Sequence, residues 1–389
     1  MSGTYASVIR ALQDRVYRRG IHYQLDAVAS AVSMLGLKDR PLPKALHVAG
    51  TNGKGSTLSF MAHGLFAAGY QVGTFTSPHL FRYNERVQVN MTAISDSAMC
   101  RYLQPVLDLD LPLTEFEVLC LMSWSYFADQ ELDYVIYETG LGGRLDATQV
   151  ITPILSVITR IDMDHMELLG ETIAQIAAEK AGIIREGVPV ITLADQHPEA
   201  LQVIDAHAQD RSSLLTLVEP PFVLPDTYQM KASFQAENLA LARAAVAPLL
   251  APEEMRLAEQ GFAKAVCPGR FQVIDPALVI VDAAHNPHAI RALVQALRQG
   301  YPEQSFQVIA GILARKNANE MLTTLSEFAS ELYLCDFDPP NSMSASSVPS
   351  LVSPVDLSHC QSLSRQRPTV VTGSIFFLDA FLRLEEGFG

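Results

Sequence analysis

Residues 50–57 read Gly-Thr-Asn-Gly-Lys-Gly-Ser-Thr. An apolar run, Ala45 to Ala49, leads in, and a helical pattern from Lys54 to Ala68 leads out. A strand, a glycine-rich turn and a helix start make a phosphate cradle. Small residues let backbone N–H groups approach the phosphates, and the helix N-terminus adds partial positive charge. Lys54 supplies a mobile cation, and the hydroxyl of Ser56 or Thr57 can meet a metal. The common nucleotide-loop pattern is matched imperfectly: Val48 stands where glycine is usual, and Gly55 separates Lys54 from Ser56. A tight structural strand-to-helix turn is the alternative.

Further groups with chemical potential lie at the ends of other apolar runs. Tyr134-Val135-Ile136-Tyr137 ends in Glu138, followed by a glycine-rich stretch to Arg144. A carboxylate at the carboxyl end of a parallel strand faces the ligand crevice and suits magnesium, which takes hard oxygen ligands. The same carboxylate could instead cap a turn. His165 follows Asp164 just after another apolar strand, and Ser77 follows a third. Either can reach a metal; either can be structural. Lys180 is anomalous, because Ile173, Ile176, Ala177, Ile183 and Ile184 share its helical face. Such a lysine snorkels, pairs with an acid, or loses its charge through desolvation. A neutral amine can add carbon dioxide to give a carbamate, a possible metal ligand. On spacing alone, a packed stem with a paired head is the ordinary case. Farther on, Asp282 ends a strand, His285 precedes an Asn286-Pro287 helix start, and Arg270 lies in a Pro-Gly hinge. These suit a ribose hydroxyl and phosphate oxygens.

Short β-rich runs alternate with helical patterns, which implies parallel α/β sheets. Strands are expected at Ala45–Gly50, Gln71–Thr76, Asp133–Glu138, Ile154–Ile161 and Val188–Leu193, with helices such as Ser95–Leu109 and Glu115–Gln130 between them. After a polar, proline-bearing stretch near Glu219–Thr227 comes a helix, Asn238–Leu250, and then a break at Cys267-Pro268-Gly269. A second α/β pattern follows, with strands Leu278–Asp282, Phe306–Ile312, Glu331–Cys335 and Thr369–Thr372, a helix Pro287–Gln299, and a Pro/Ser-rich surface loop over 339–354. The expected domains are 1–268 and 269–389. The 389 residues suffice for two or three domains, and 49% hydrophobic content supports a large core. A net charge of −14 argues against a nucleic-acid surface. Five dispersed cysteines without metal spacing fit reduced thiols in the cytoplasm. No apolar stretch reaches membrane-spanning length, and Arg10, Asp14, Arg15, Arg18 and Arg19 interrupt any signal-peptide core.

Taken together, the segments resemble the folylpolyglutamate synthase/dihydrofolate synthase family within the Mur-type amide ligases. Gly-Thr-Asn-Gly-Lys-Gly-Ser is 50–56, which accounts for Gly55; Thr-Ser-Pro-His-Leu is 76–80, with Asn84-Glu85-Arg86 close behind. Glu-x-Gly-Leu-Gly-Gly-Arg-Leu-Asp-Ala-Thr is 138–148, Asp-His is 164–165, and Glu-Lys-Ala-Gly-Ile is 179–183. Pro-Gly-Arg-Phe is 268–271, and Asp-x-Ala-His-Asn-Pro-His-Ala is 282–289. Gln149 stands where the family usually has Asn, Met166 where Thr is common, and Ala314-Arg315-Lys316-Asn317 where a more acidic segment is usual.

The resemblance implies a P-loop ATPase-like N-terminal domain with a parallel sheet and a smaller Rossmann-like C-terminal domain. It implies magnesium ligation, at two sites, by Ser77, Glu138, His165 and a carbamylated Lys180. It implies ATP contacts from Thr51, Asn52, Gly53, Lys54, Gly55, Ser56, Asn238, Arg270, Asp282 and His285, with Lys54, Lys180 and His285 in catalytic roles. The pterin is expected near Ile21, His22 and Tyr23, near Thr114, Glu115, Phe116 and Glu117, and near Leu145, Asp146 and Ala147. The implied activity is ATP-dependent addition of L-glutamate to dihydropteroate, reduced folates or both. A cell-wall precursor ligase and a non-enzymatic nucleotide-binding regulator are the alternatives. Partners are small molecules, and a monomer is expected because the proposed site is complete within one chain.

Overall fold

The computed structural model describes residues 4–18, 25–40, 42–220, 224–274, 278–314, 317–338, 341–348 and 352–384. The chain forms two compact units: Met1–Pro220 with Glu237–Lys264, and Pro221–Ala236 with Ala265–Gly389. The second unit thus begins just ahead of the Pro268-Gly269 break and also takes in the segment before the helix Gln235–Val246.

The first unit holds strands β1 (Lys44–Ala49), β2 (Val72–Phe75), β3 (Val87–Val89), β4 (Thr92–Ala93), β5 (Tyr134–Glu138), β6 (Pro153–Ile158), β7 (Val190–Leu193) and β8 (Leu215–Val218). They form one sheet in the order β4-β3-β2-β5-β1-β6-β7-β8. From β2 to β8 all pairings are parallel, as the alternating pattern implies. The inner strands are buried on both faces, which is why they read as continuous apolar runs. Two short strands extend this parallel sheet. β3 and β4 pair antiparallel at the edge, turning through Asn90 and Met91 in the left-handed region. They are only three and two residues long, too short to show a period of two.

The helix Glu115–Phe127 is apolar almost all round and sits inside the core, against Phe75, Val135 and Tyr137. The helix Lys54–Ala67 carries the phosphate-loop end and packs on Pro252–Lys264. That contact is backbone-close. A β-carbon on Gly261 would lie 2.2 Å from the His63 carbonyl oxygen, and one on Gly64 would lie 2.2 Å from the Phe262 ring.

The second unit holds β9 (Gln272–Ile274), β10 (Val279–Asp282), β11 (Gln307–Ala310), β12 (Glu331–Cys335), β13 (Ser353–Val355) and β14 (Thr369–Thr372), in the order β13-β12-β11-β14-β10-β9. All pairs are parallel except β10 with β9. The helix Pro287–Gly300 starts as its sequence implies: Asn286 Oδ1 accepts from Ala289 N at 2.8 Å, and Pro287 occupies the first turn. Ile290, Leu293 and Leu297 of its apolar face enter a core with Ile280, Phe306, Val308 and Val370.

Because the Gly261 contact is against main chain, the neighbour cannot rotate away. Gly261→Ala is expected to lower stability by about 2–3 kcal/mol through overpacking. A urea midpoint unchanged from wild type would show that the two helices separate freely.

Candidate active site

The strand order decides which loops meet. β2, β5, β1 and β6 are consecutive parallel neighbours, so Ser77, Glu138, the 50–57 loop and the Thr159–His165 segment leave the carboxyl end of the sheet together. β1 lies where the chain turns from building one side of the sheet to the other, the position at which open α/β sheets form a ligand crevice.

The glycine loop is held from the β6 side. Thr51 N and Asn52 N both donate to the Arg160 carbonyl, at 2.9 and 3.2 Å. Thr51 Oγ1 donates to the Asp162 carbonyl and accepts from Asp162 N. Thr159 Oγ1 donates to the Asn52 carbonyl at 2.8 Å. Thr51 and Asn52 therefore shape the loop with their backbones, and the first-turn N–H groups of Lys54, Gly55 and Ser56 form the helix N-terminus behind it. Gly53 is left-handed (φ 88°), and a β-carbon there would sit 2.1 Å from Asn238 Oδ1. Asn238 also accepts from Thr57 Oγ1 at 3.3 Å, so this residue, remote in sequence, lies on the loop.

Lys180 reaches the same loop. Its Nζ donates to the Gly50 carbonyl at 3.0 Å, and Lys54 Nζ donates to that same oxygen at 3.1 Å. Two lysine nitrogens share one acceptor, and Lys180 is buried. Burial first, and Lys54 next, lower the Lys180 pKa from 10.5 to about 7; the carboxylates of Asp164, Asp146 and Glu179 oppose this only in part. The ordinary arrangement, a packed stem with its head in an ion pair, is absent for Lys180 among the described residues.

Glu138, buried at the end of β5, accepts from Ser77 N at 3.2 Å. The turn that follows is folded around Asp146, whose Oδ2 accepts from Gly140 N and Leu141 N and whose Oδ1 accepts from Thr148 N and Thr148 Oγ1. Burial raises the Asp146 pKa despite these donors. Thr148 gives its one proton to Asp146, so it accepts from His47 Nε2–H at 2.7 Å. His47 Nδ1 is then a buried lone pair without a partner, and burial lowers the pKa of this ring to about 3. Gln149 Nε2 joins the turn to the lysine helix, donating to Gly143 O at 2.6 Å and Gly182 O at 2.8 Å.

His165 is half-exposed, left-handed (φ 49°), and 3.9 Å from carboxylate oxygens of Asp164 and Glu167. No cluster of three His, Cys, Asp or Glu suited to a metal occurs among the described residues. The implied ligand set contains only two of those types. Its carboxylate, its hydroxyl and a lysine able to become a carbamate offer the hard oxygens that magnesium takes, and the imidazole would add one nitrogen donor.

Of the residues expected to meet the pterin, Ile21, His22 and Tyr23 lie outside the described residues. Thr114 and Glu117 cap their own helix reciprocally, Glu115 pairs with the buried Arg86 at 3.4 Å, and Phe116 lies against Gly140. Leu145 and Ala147 flank Asp146. In the second unit, Asp282 accepts from Phe271 N and Ala284 N, each at 2.8 Å, and so fixes Phe271 at φ 48°. Arg270 lowers the pKa of this carboxyl while burial, the larger cause, raises it. His285 Nδ1–H donates to the Ala283 carbonyl at 2.9 Å.

Residues 269–366 match the family model described as Mur ligase, glutamate ligase domain. The chain is 36% identical over 357 residues to the Bacillus subtilis dihydrofolate synthase/folylpolyglutamate synthase, covering 82% of this chain and 83% of that protein. It superposes on Escherichia coli FolC, solved with DHPP and ADP, at a TM-score of 0.86 and 29% identity, covering 99% and 98% of the two chains. A bifunctional folylpolyglutamate synthase/dihydrofolate synthase solved with Mn, AMPPNP and L-glutamate gives 0.86 and 30%, covering 99% and 100%. The chain belongs to the dihydrofolate synthase/folylpolyglutamate synthase family. It is an ATP-dependent acid–amino-acid ligase.

Sequence reasoning about this ligase did not single out Thr159, Arg160, Asp162 or His47. Thr159, Arg160 and Asp162 act through main-chain atoms or through partners at least 35 positions away, which leave no local spacing. The one available signal was a polar His47 inside the run Ala45–Ala49.

The Lys180 amine also has a folding signature. Its native pKa of about 7 lies below the ordinary 10.5. Below pH 7 both states are protonated and the folded chain carries the full cost of a buried ammonium. Between those values the unfolded state holds more protons, so stability rises with pH. In CO2-depleted buffer, Lys180→Met is expected to remove a rise of at most about 1.4 kcal/mol per pH unit across this window. Parallel stability–pH curves for variant and wild type would mean that Lys180 titrates normally.

Proposed function

We propose that this ligase joins the amine of L-glutamate to a carboxylate of dihydropteroate, of reduced folates, or of both, through an acyl phosphate. The observation that carries the mechanism is the pair of lysines, Lys54 and Lys180, on the Gly50 carbonyl of the glycine loop. One has a mobile head suited to a phosphate; the other is desolvated and suited to carbamate formation.

ATP phosphates rest on residues 50–57, over the N–H groups that open the helix Lys54–Ala67. Lys54 turns from its own loop carbonyls onto a phosphate oxygen, a rotation about its side-chain bonds. The acceptor carboxylate attacks the γ-phosphorus in line; the C–O–P bond forms, and the bond to the β-phosphate oxygen breaks with release of ADP. Lys54 offsets charge on the transferring group. The neutral amine of glutamate then attacks the acyl carbon, forming the amide and expelling phosphate. Ser77, Glu138, His165 and carbamylated Lys180 would hold two magnesium ions, whose chemistry is to neutralise phosphate charge. Lys180 adds CO2 as the neutral amine and loses a proton, a reaction favoured by its lowered pKa. Arg270, Asp282 and His285 are proposed nucleotide contacts on the strength of the resemblance and of the match of their unit to the glutamate ligase domain.

Five cysteines without a disulfide among the described residues support a reducing, cytoplasmic setting. No described helix is long and apolar enough to cross a membrane. The substrates are small molecules, and a monomer is the proposed state.

Phosphate release from ATP and glutamate is expected with dihydropteroate or tetrahydrofolate and not with a nucleotide-linked muramyl sugar; release with the sugar alone would overturn the folate assignment. Lys180→Ala is expected to lose at least about 100-fold in kcat, with partial recovery on adding a small carboxylate such as acetate. Full activity of the variant in the absence of added carboxylate would remove the carbamate from the mechanism.

A further inference from the structure

Arg160 follows β6 and was not implicated by any motif. Its carbonyl accepts the N–H groups of Thr51 and Asn52, as described above. Its guanidinium grips Glu237 with two bonds, Nε to Oε2 at 3.0 Å and Nη2 to Oε1 at 2.7 Å. Nη2 also meets Asp195 Oδ1 at 2.9 Å, and Nη1 donates to the Asp195 carbonyl at 2.5 Å. The Arg160 side chain is mostly buried. Glu237 is in the first turn of the helix Gln235–Val246, immediately before Asn238. Asn238 in turn sits on Gly53 and accepts from Thr57. A closed circuit results: loop backbone to Arg160, Arg160 to Glu237, Asn238 back to the loop.

A planar two-pronged bond fixes angle as well as distance, which a lysine could not do. The circuit therefore sets the spacing between the start of the loop and the Asn238 amide, two features separated by more than 180 positions in the chain. We propose that Arg160 is a positioning residue for the nucleotide, holding the Thr51–Gly53 turn and the Glu237–Asn238 helix start as one preformed surface. This inference rests on the reading of residues 50–57 and Asn238 as the ATP site.

Calorimetric titration of the full chain with ADP separates the two. Failure of wild type to bind ADP would overturn the ATP-site reading itself. With wild-type binding established, Arg160→Met is expected to weaken ADP about ten-fold and Glu237→Gln about five-fold, with the double variant no weaker than Arg160→Met alone. The KM for glutamate is expected to stay within about two-fold. ADP affinity within two-fold of wild type in Glu237→Gln, strictly additive losses, or an equal rise in the glutamate KM would each overturn the proposal. Should Arg160→Met fail to fold, Glu237→Gln, which alters the partly exposed partner, still decides it by the first and third of these readouts.

Discussion

The site depends on a missing side chain. A β-carbon on Gly50 would fall 1.8 Å from Thr159 Oγ1, inside any allowed contact. Because none is there, the loop after β1 and the loop after β6 lie backbone to backbone and are stitched by Thr51, Asn52, Thr159, Arg160 and Asp162. The same close approach turns the Gly50 carbonyl toward both Lys54 and Lys180. A larger residue at position 50 would force apart the phosphate loop, the Asp164-His165 segment and the lysine helix at once.

Around this contact the protein invests in backbone rather than in side-chain ion pairs. Asp146 folds the turn after Glu138 with three N–H groups and one hydroxyl, and Gln149 ties that turn to the C-terminal end of the lysine helix. Gly143 and Gly182 permit this; β-carbons there would meet main-chain atoms of the opposite segment at 2.9 and 2.5 Å. The result is a rigid frame in which Lys180 has lost solvent and gained a positive neighbour without gaining a direct carboxylate partner. That environment makes its amine a base near neutral pH, the condition for carbamate chemistry.

Two kinds of evidence therefore meet at Lys180. Helical spacing placed it on an apolar face, where a paired head was the ordinary alternative. The fold replaces that pairing with a shared carbonyl. Gln149, which stands where the family usually has Asn, joins the turn to the lysine helix from one nitrogen that donates to a carbonyl on each.

Much was legible in the sequence because it is local. Apolar runs marked β1, β5 and β10; Asn286-Pro287 marked a helix start; the glycine loop marked a strand-to-helix turn; Glu138 and Asp282 ended strands as their positions implied. The strands β3, β4, β9 and β13, each two or three residues long, carried too little pattern to be read. Nor did the sequence state which strand ends are neighbours. That depends on sheet order, which brings Ser77, Glu138, Lys54 and His165 to the carboxyl end of one sheet. The hydrogen bonds from Arg160 to Glu237, from His47 to Thr148 and from Gln149 to Gly182 join residues dozens of positions apart, which leaves no local spacing to read. Residue types and short spacings determined what chemistry this chain could attempt; only the tertiary structure decided which groups are desolvated, which share a partner, and hence how they are charged.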